Sequence, residues 1–236
     1  MNIQDMSLKQ RLLVVVAVEL LYMVGSRLAI RYYSAESFQA EMIRTTLRIA
    51  TALIYWQLMK PLILSKQASF DTARVAPLVV GMLALFAIPA LVGNYALSTS
   101  LALLFALTSI PVAIKEEFLF RGIVQNLLES RYGQMRAVFY ASVIFTAWHI
   151  GTWEPSVWIF SQIFFVGLVL GMVYIRTGSI WAAIVLHALY DAVFSFTPLV
   201  RPPLDQNWGF VPLAITVVAV SYWAQAGKLK NGATSA

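Results

Sequence analysis

The sequence of 236 residues contains no cysteine, only two histidines and few charged side chains. The absence of cysteine excludes a disulfide framework, a thiolate zinc site and a cysteine nucleophile. Charged residues make up 12% of the chain, about half the share found in a typical soluble domain. Apolar residues make up 60%, which leaves too few polar side chains to cover a soluble surface and also excludes disorder. The composition therefore predicts a membrane protein with several spans.

Long apolar runs are frequent in this sequence. A transmembrane helix needs about 20 mostly apolar residues, and we find eight candidate runs. They cover roughly 11–30, 43–63, 75–93, 97–115, 136–150, 157–175, 180–197 and 209–225. We therefore predict an all-α, polytopic transmembrane bundle of about eight spans. The first run is interpreted as a retained helix because it is too long for a signal peptide and contains Glu19.

The basic residues indicate how the chain is oriented. Ten Lys and Arg residues fall on one side of the alternating loops, and two or three fall on the other. The positive-inside rule then places both termini in the cytoplasm. The net charge of +6 does not predict a nucleic-acid partner, because the basic residues lie between apolar segments. We expect a multi-pass protein of the plasma membrane, which in bacteria is the inner membrane. Its partners are then the lipid bilayer and its substrate, and the sequence leaves the oligomeric state open.

Ionisable residues concentrate in the second half of the chain. Each costs about 2.5–3.5 kcal/mol in the hydrocarbon region and is rare unless it faces a bundle interior or a wet cavity. The apolar segments nevertheless contain Glu116, Glu117, Arg121, His149, His187 and Asp191. A single such group is typical of a structural hydrogen bond between helices, and we assign Glu19 to that class. The concentration of six predicts a functional site.

Spacing relates these residues to one another. Glu117 and Arg121 are four apart and can form an ion pair within one helix, and His187 and Asp191 share a face in the same way. Glu116 is rotated by about 100° from Glu117, so the two carboxylates must face different neighbours.

Counting from the turns predicts the depth of each group in the bundle. Glu116 lies seventeen residues before the predicted turn at Gly133, and His149 lies sixteen after it, so both are expected at one height. His187 lies only nine residues past Gly178, and we expect its height to match less well unless the longer helices extend well beyond the bilayer surface.

Other polar and aromatic residues receive structural interpretations. We expect Arg44 and Arg48 to extend towards the membrane interface, where long basic side chains reach water. Trp148 is assigned to the interfacial aromatic belt.

A carboxylate and an imidazole at one depth suit general-base activation of water. A second imidazole, positioned by an acid one turn along, can donate a hydrogen bond to an oxyanion. This combination predicts hydrolysis of an amide bond. A serine mechanism is disfavoured because no G-x-S-x-G motif is present.

Other functions use the same residues. The set Glu116, His149, His187 and Asp191 has the type and number of zinc ligands, although H-E-x-x-H is absent, so we expect no cofactor and leave zinc open. A proton relay in a transporter predicts repeats or broken helices in both halves, whereas the charges crowd only one half. A non-catalytic immunity or scaffolding protein could bind a partner through these helices.

Three short motifs carry a resemblance to a known family. Glu116–Arg121 fits E-E-x-x-x-R, Phe145–His149 fits F-x-x-x-H, and His187–Asp191 fits H-x-x-x-[DN]. In this order the chain resembles the CPBP family, which comprises the type II CAAX prenyl endopeptidases and the bacteriocin-processing or immunity proteins, also called ABI. The resemblance covers about 97–197.

The resemblance implies an intramembrane endopeptidase of the glutamic type, acting on a membrane-associated protein or peptide. It implies that Glu116 is the general base that activates water and that His149 helps to hold this water. Glu117 and Arg121 would brace the site. The family was long classed as metalloproteases, so the resemblance leaves zinc open as well.

The oxyanion side contains one departure from the family. The resemblance places His187 and residue 191 there, but the prenyl endopeptidases usually have Asn where this chain has Asp191. An ionised Asp accepts hydrogen bonds and cannot donate one, so Asp191 could instead orient His187, or it could be protonated in a buried site.

The resemblance also suggests how the chain divides. We predict N-terminal transmembrane helices in 1–96, a catalytic core in 97–197, and a last transmembrane helix with a cytoplasmic tail in 198–236.

Overall fold

The computed structural model describes residues 5–66, 98–150 and 157–196, and every element within these ranges is a helix. In chain order they are α1 (Leu8–Tyr33), α2 (Phe38–Ile63), α3 (Thr99–Glu117), a π-helix (Phe118–Gln125), α4 (Asn126–Tyr132), α5 (Gln134–Trp148), α6 (Val157–Thr177) and α7 (Ile180–Phe196). The predicted all-α class is confirmed for this part of the chain. Six of the eight predicted spans correspond to these long helices, whereas 75–93 and 209–225 lie outside the described residues.

Serine side chains begin three of the long helices. Ser7 Oγ accepts a hydrogen bond from the backbone N–H of Gln10 at 3.3 Å, and the backbone N–H of Ser7 donates one to Oε1 of Gln10. Ser37 precedes α2 and Ser98 precedes α3, each accepting from a backbone N–H three residues on. Such caps satisfy donors that the first helical turn leaves unpaired.

Glycines make two sharp turns between helices. Gly133 joins α4 to α5 with φ +78°, at the turn predicted from the sequence, and Gly178 joins α6 to α7 with φ +65°. Glycine adopts positive φ without steric cost, so both helices can reverse direction within one or two residues.

The helices pack so that those carrying the three motifs meet in the centre. Helix α3 packs along α7, α5 against α6, α1 against α2, and α2 against α3. Alanines at the contacts, Ala113 on α3 and Ala182 and Ala183 on α7, are fully buried and allow close approach of the backbones. The resulting core surrounds the C-terminal end of α3.

Large apolar side chains cover much of the outer surface. On α1 alone, Leu13 is 62% exposed and Leu21 71% exposed. A soluble monomer rarely exposes a continuous apolar face of this kind. Two described helices are long and apolar enough to cross a membrane, Leu8–Tyr33 and Phe160–Thr177. The number of spans and the orientation of the termini stay predictions.

Candidate active site

The acidic pair lies where α3 changes its helical form. Glu116 and Glu117 are near the end of α3, and Arg121 lies in the π-helix that continues it. A π-helical turn is rare and frequently marks a functional site. All residues of this segment except Val124 are buried, so Arg121 is held inside the bundle.

One carboxylate oxygen of Glu116 faces both histidines of the chain. Its Oε2 lies 4.0 Å from Nε2 of His149 and 3.9 Å from Nε2 of His187. These side chains come from three places, namely α3, the C-terminal end of α5, and α7. The separations exceed a direct hydrogen bond and suit contact through one water molecule.

Glu117 forms the buried support of this centre. Its Oε1 accepts a hydrogen bond from Nη1 of Arg121 at 2.8 Å and another from Nδ1 of His187 at 2.7 Å. Nη2 of Arg121 also donates to the carbonyl oxygen of Gly167 at 3.0 Å. The ion pair predicted from the four-residue spacing is therefore present, and it extends to a second helix.

Phe145 supports His149 through its backbone and its ring. Nδ1 of His149 lies 2.8 Å from the carbonyl oxygen of Phe145, which can only accept, so Nδ1 carries the hydrogen. In a neutral ring, Nε2 is then the acceptor that faces Glu116. The Phe145 ring packs edge-on against both histidines and lies 4.9 Å from the Arg121 guanidinium.

Asp191 lies on the more open side of the centre. Its Oδ2 is 3.5 Å from Nε2 of His187, one helical turn away on the same face. Its side chain is 28% exposed, compared with 4% for the side chain of His187. Carboxylates therefore flank both nitrogens of His187, with Glu117 at Nδ1 and Asp191 at Nε2.

The expected mismatch in the height of His187 was wrong. The counting assumed that the turns at Gly133 and Gly178 lie at the same level. Residues 131–136 around the first turn are exposed, whereas Thr177 and Ser179 beside the second are buried. Helix α7 therefore starts deeper in the bundle, and nine residues bring His187 level with Glu116.

The expectation that Arg48 extends to the membrane interface was also wrong. Arg48 is buried, with Nη1 2.5 Å from Oε1 of Glu41 and Nε donating to the Tyr22 hydroxyl. Arg44 is partly buried and donates to Oε2 of the same Glu41 and to Ser26. The carboxylate of Glu41 draws both guanidinium groups into the contact between α1 and α2.

A further buried charge near the site was missed. Lys115 directly precedes Glu116, is 1% exposed, and donates to Glu19 of α1, which also accepts from the Tyr55 hydroxyl of α2. The signal was available in the sequence, since a lysine within an apolar span is itself unusual. Trp148, which was assigned to the aromatic belt, instead packs inward, with its ring 5.9 Å from the Lys115 ammonium.

The separations between candidate ligand atoms in the site can be compared with those in a zinc centre. Tetrahedral zinc with ligands about 2.0–2.2 Å away has its ligand atoms roughly 3.3–3.6 Å apart. The two pairs that Glu116 forms with the histidines are 3.9 and 4.0 Å apart, whereas Nε2 of His187 and Oδ2 of Asp191 are 3.5 Å apart. Within 5–66, 98–150 and 157–196, no group of three or more His, Asp or Glu side chains is arranged to hold a metal ion.

Comparison with known proteins agrees with the three motifs. Residues 98–193 match the family described as Type II CAAX prenyl endopeptidase Rce1-like. Searches among curated proteins and among solved structures gave no significant match. The matched segment contains Glu116, both histidines and Asp191, and it lies within the predicted core 97–197. The resemblance to the CPBP family of CAAX-type proteases is therefore confirmed for residues 98–193, which are similar to the Rce1-like proteins.

Proposed function

We propose that this protein is an intramembrane endopeptidase that hydrolyses a peptide bond in a membrane-associated protein or peptide. The observation that carries the proposal is the convergence of two imidazole Nε2 atoms on a single oxygen of Glu116. The family match supports a protease, and the exposed apolar helices support a membrane location. We further propose the bacterial plasma membrane and a multi-pass topology.

Glu116 and His149 are the groups that activate water in this proposal. A carboxylate has only acceptors, and Nε2 of His149 is an acceptor because Nδ1 donates its hydrogen to Phe145. Two acceptors 4.0 Å apart repel each other unless a donor lies between them. A water molecule can donate one hydrogen to each, which leaves its oxygen lone pairs free to attack a carbonyl carbon. The proton that it loses passes to Glu116.

His187 and Asp191 lie on the oxyanion side. Nε2 of His187 points into the space between Glu116 and Asp191. Because Nδ1 already donates to Glu117, the ring carries a hydrogen on Nε2 as well only as the imidazolium ion, and in that form Nε2–H donates to the oxygen of the tetrahedral intermediate. Glu117 holds Nδ1 of the same ring and so sets its orientation. Asp191 in its ionised form only accepts, and we assign it to orienting His187 rather than to direct donation.

Arg121 keeps this arrangement rigid. Its guanidinium bonds Glu117 on one side and the α6 backbone at Gly167 on the other. A catalytic group must stay within about 0.5 Å of its productive position, and fixed supporting hydrogen bonds provide this precision. Arg121 therefore acts through Glu117 and His187 and does not itself touch the peptide.

The test uses the full chain purified in detergent. The probes are two internally quenched peptides that end in a CAAX sequence, one farnesylated on its cysteine and one not. We expect cleavage by the wild type and a loss of about 10²–10⁴-fold in kcat for Glu116→Gln and for His149→Gln. Glu129→Gln is the matched control, because Glu129 pairs with Lys66 away from the site. Full activity in both site variants would reject the proposal.

A second measurement separates water chemistry from the zinc alternative. Purified protein is analysed for bound metal and assayed with and without a chelator. Cleavage that persists in metal-free protein supports the mechanism above. Stoichiometric zinc and loss of cleavage on chelation would show that the same residues act in a zinc-dependent mechanism.

A further inference from the structure

Lys115 lies at the junction of four helices directly behind the proposed site. It belongs to α3, its ammonium bonds Glu19 on α1, and Glu19 in turn accepts from Tyr55 on α2. The ring of Trp148 at the end of α5 lies 5.9 Å from the same ammonium. Lys115, Glu19 and Tyr55 are all almost fully buried.

Lys115 and Trp148, the ring that faces it, each directly precede one of the two water-activating groups in the sequence. Lys115 is bonded through the backbone to Glu116, and Trp148 is bonded through the backbone to His149. The ammonium also lies 4.0 Å from the ring centroid of Tyr22 on α1, so aromatic faces and a carboxylate surround the cation. Contacts between a cation and aromatic rings are strong when they are removed from water. Those of the Lys115 ammonium therefore restrict where the backbone of α3 can lie relative to α5.

This cluster lies partly outside the segment that matches the family. The match spans 98–193, whereas Glu19 and Tyr55 come from α1 and α2. A buried lysine and glutamate are costly unless each has its partner, so neither has an evident benefit for stability alone. A role of Lys115 and Glu19 at the adjacent site explains why these positions hold a buried ion pair and not two apolar side chains.

We propose that Lys115, held by Glu19 and Tyr55 and facing Trp148, is a positioning residue that sets the separation between Glu116 and His149. The N-terminal helices then supply a required part of the site and are more than a membrane anchor. This inference rests on the proposed function, because the separation matters only if the two groups share a water molecule.

The main variant removes both buried charges at once. Glu19→Gln with Lys115→Met leaves no unpaired charge in the interior, so we expect the protein to fold with a melting temperature close to that of the wild type. With the farnesylated quenched peptide as the probe, we expect kcat to fall about 100-fold with little change in KM, since a displacement of about 1 Å costs this much. A purely structural role would change the melting temperature and leave kcat of the folded protein unaltered.

The matched control is another lysine–glutamate pair between helices. Lys66 pairs with Glu129 and lies 5.5 Å from the ring centroid of Tyr174, so it has the same chemistry at a distance from the site. Lys66→Met with Glu129→Gln should keep kcat within about threefold of the wild type. An equal kcat in the two double variants would overturn the proposal.

A second variant and a second measurement test the proposal if the main variant does not fold or the wild type does not cleave the peptide. Trp148→Leu removes the facing ring without changing any charge, and we expect a fall of about tenfold in kcat; no fall would also count against the proposal. Failure of the proposed function is recognised separately, by a wild type that does not cleave or a Glu116→Gln variant that still does. In that case an experimental structure of the Glu19→Gln/Lys115→Met protein decides: an unchanged distance between Glu116 and His149 overturns the positioning role, and a shift of about 1 Å or more supports it.

Discussion

Replacing Glu117 by glutamine tests the buried support of the site most directly. Glu117 is fully buried and accepts hydrogen bonds from Arg121 at 2.8 Å and from His187 at 2.7 Å. Glutamine keeps the shape and one oxygen, but it removes the negative charge that balances the Arg121 guanidinium. Arg121 is 1% exposed and cannot turn to water for compensation.

The size of the effect follows from this burial. Removing one partner of a buried ion pair costs about 3–5 kcal/mol, and we expect the lower end because glutamine retains an acceptor. About 3 kcal/mol corresponds to a fall in melting temperature of about 6–12 °C for a chain of this length. The seven tryptophans allow unfolding in detergent to be followed by intrinsic fluorescence, whereas thiol-reactive dyes have no cysteine to label.

Two further variants decide whether the buried charge is the cause. Glu129→Gln breaks a more exposed pair and should cost at most about 1 kcal/mol. Glu117→Gln combined with Arg121→Met removes both charges and should recover part of the lost stability, since the unpaired guanidinium is gone. A Glu117→Gln variant as stable as Glu129→Gln, or a double variant no more stable than Glu117→Gln alone, would refute the reasoning.

Three other variants probe packing, hydrogen bonding and the oxyanion side. Gly122→Ala should destabilise the protein by about 1–3 kcal/mol, because a Cβ there would lie 2.9 Å from Cγ1 of Ile63; shortening Ile63 to alanine should recover part of this in the same thermal assay. Tyr174→Phe should cost about 1 kcal/mol in unfolding free energy through loss of its hydrogen bonds with Asn126, and an unchanged melting temperature would contradict this. Asp191→Asn should keep peptide cleavage at or above the wild-type rate because the amide can donate to the oxyanion, whereas a loss as large as that of Glu116→Gln would contradict the proposed role.

The sequence by itself determined those features that depend on composition and on the period of one helix. Its apolar content is sufficient to predict helices, because a bundle with so few polar residues must satisfy its backbone hydrogen bonds within each segment. The ion pair between Glu117 and Arg121 and the shared face of His187 and Asp191 follow from a spacing of four residues. Three motifs in order were also enough to indicate the family, since each is local.

The tertiary structure alone decided how groups from different helices meet. Glu117 bonds His187 across 70 residues of sequence, and Lys115 bonds Glu19 across 96, which no helical period encodes. The height of His187 depended on a turn at Gly178 that is buried, whereas the count along the sequence treated it as a surface turn. Relative depth and rotation of neighbouring helices are set by side-chain packing and buried charge pairs over the whole bundle, and these contacts exist only once the chain has folded.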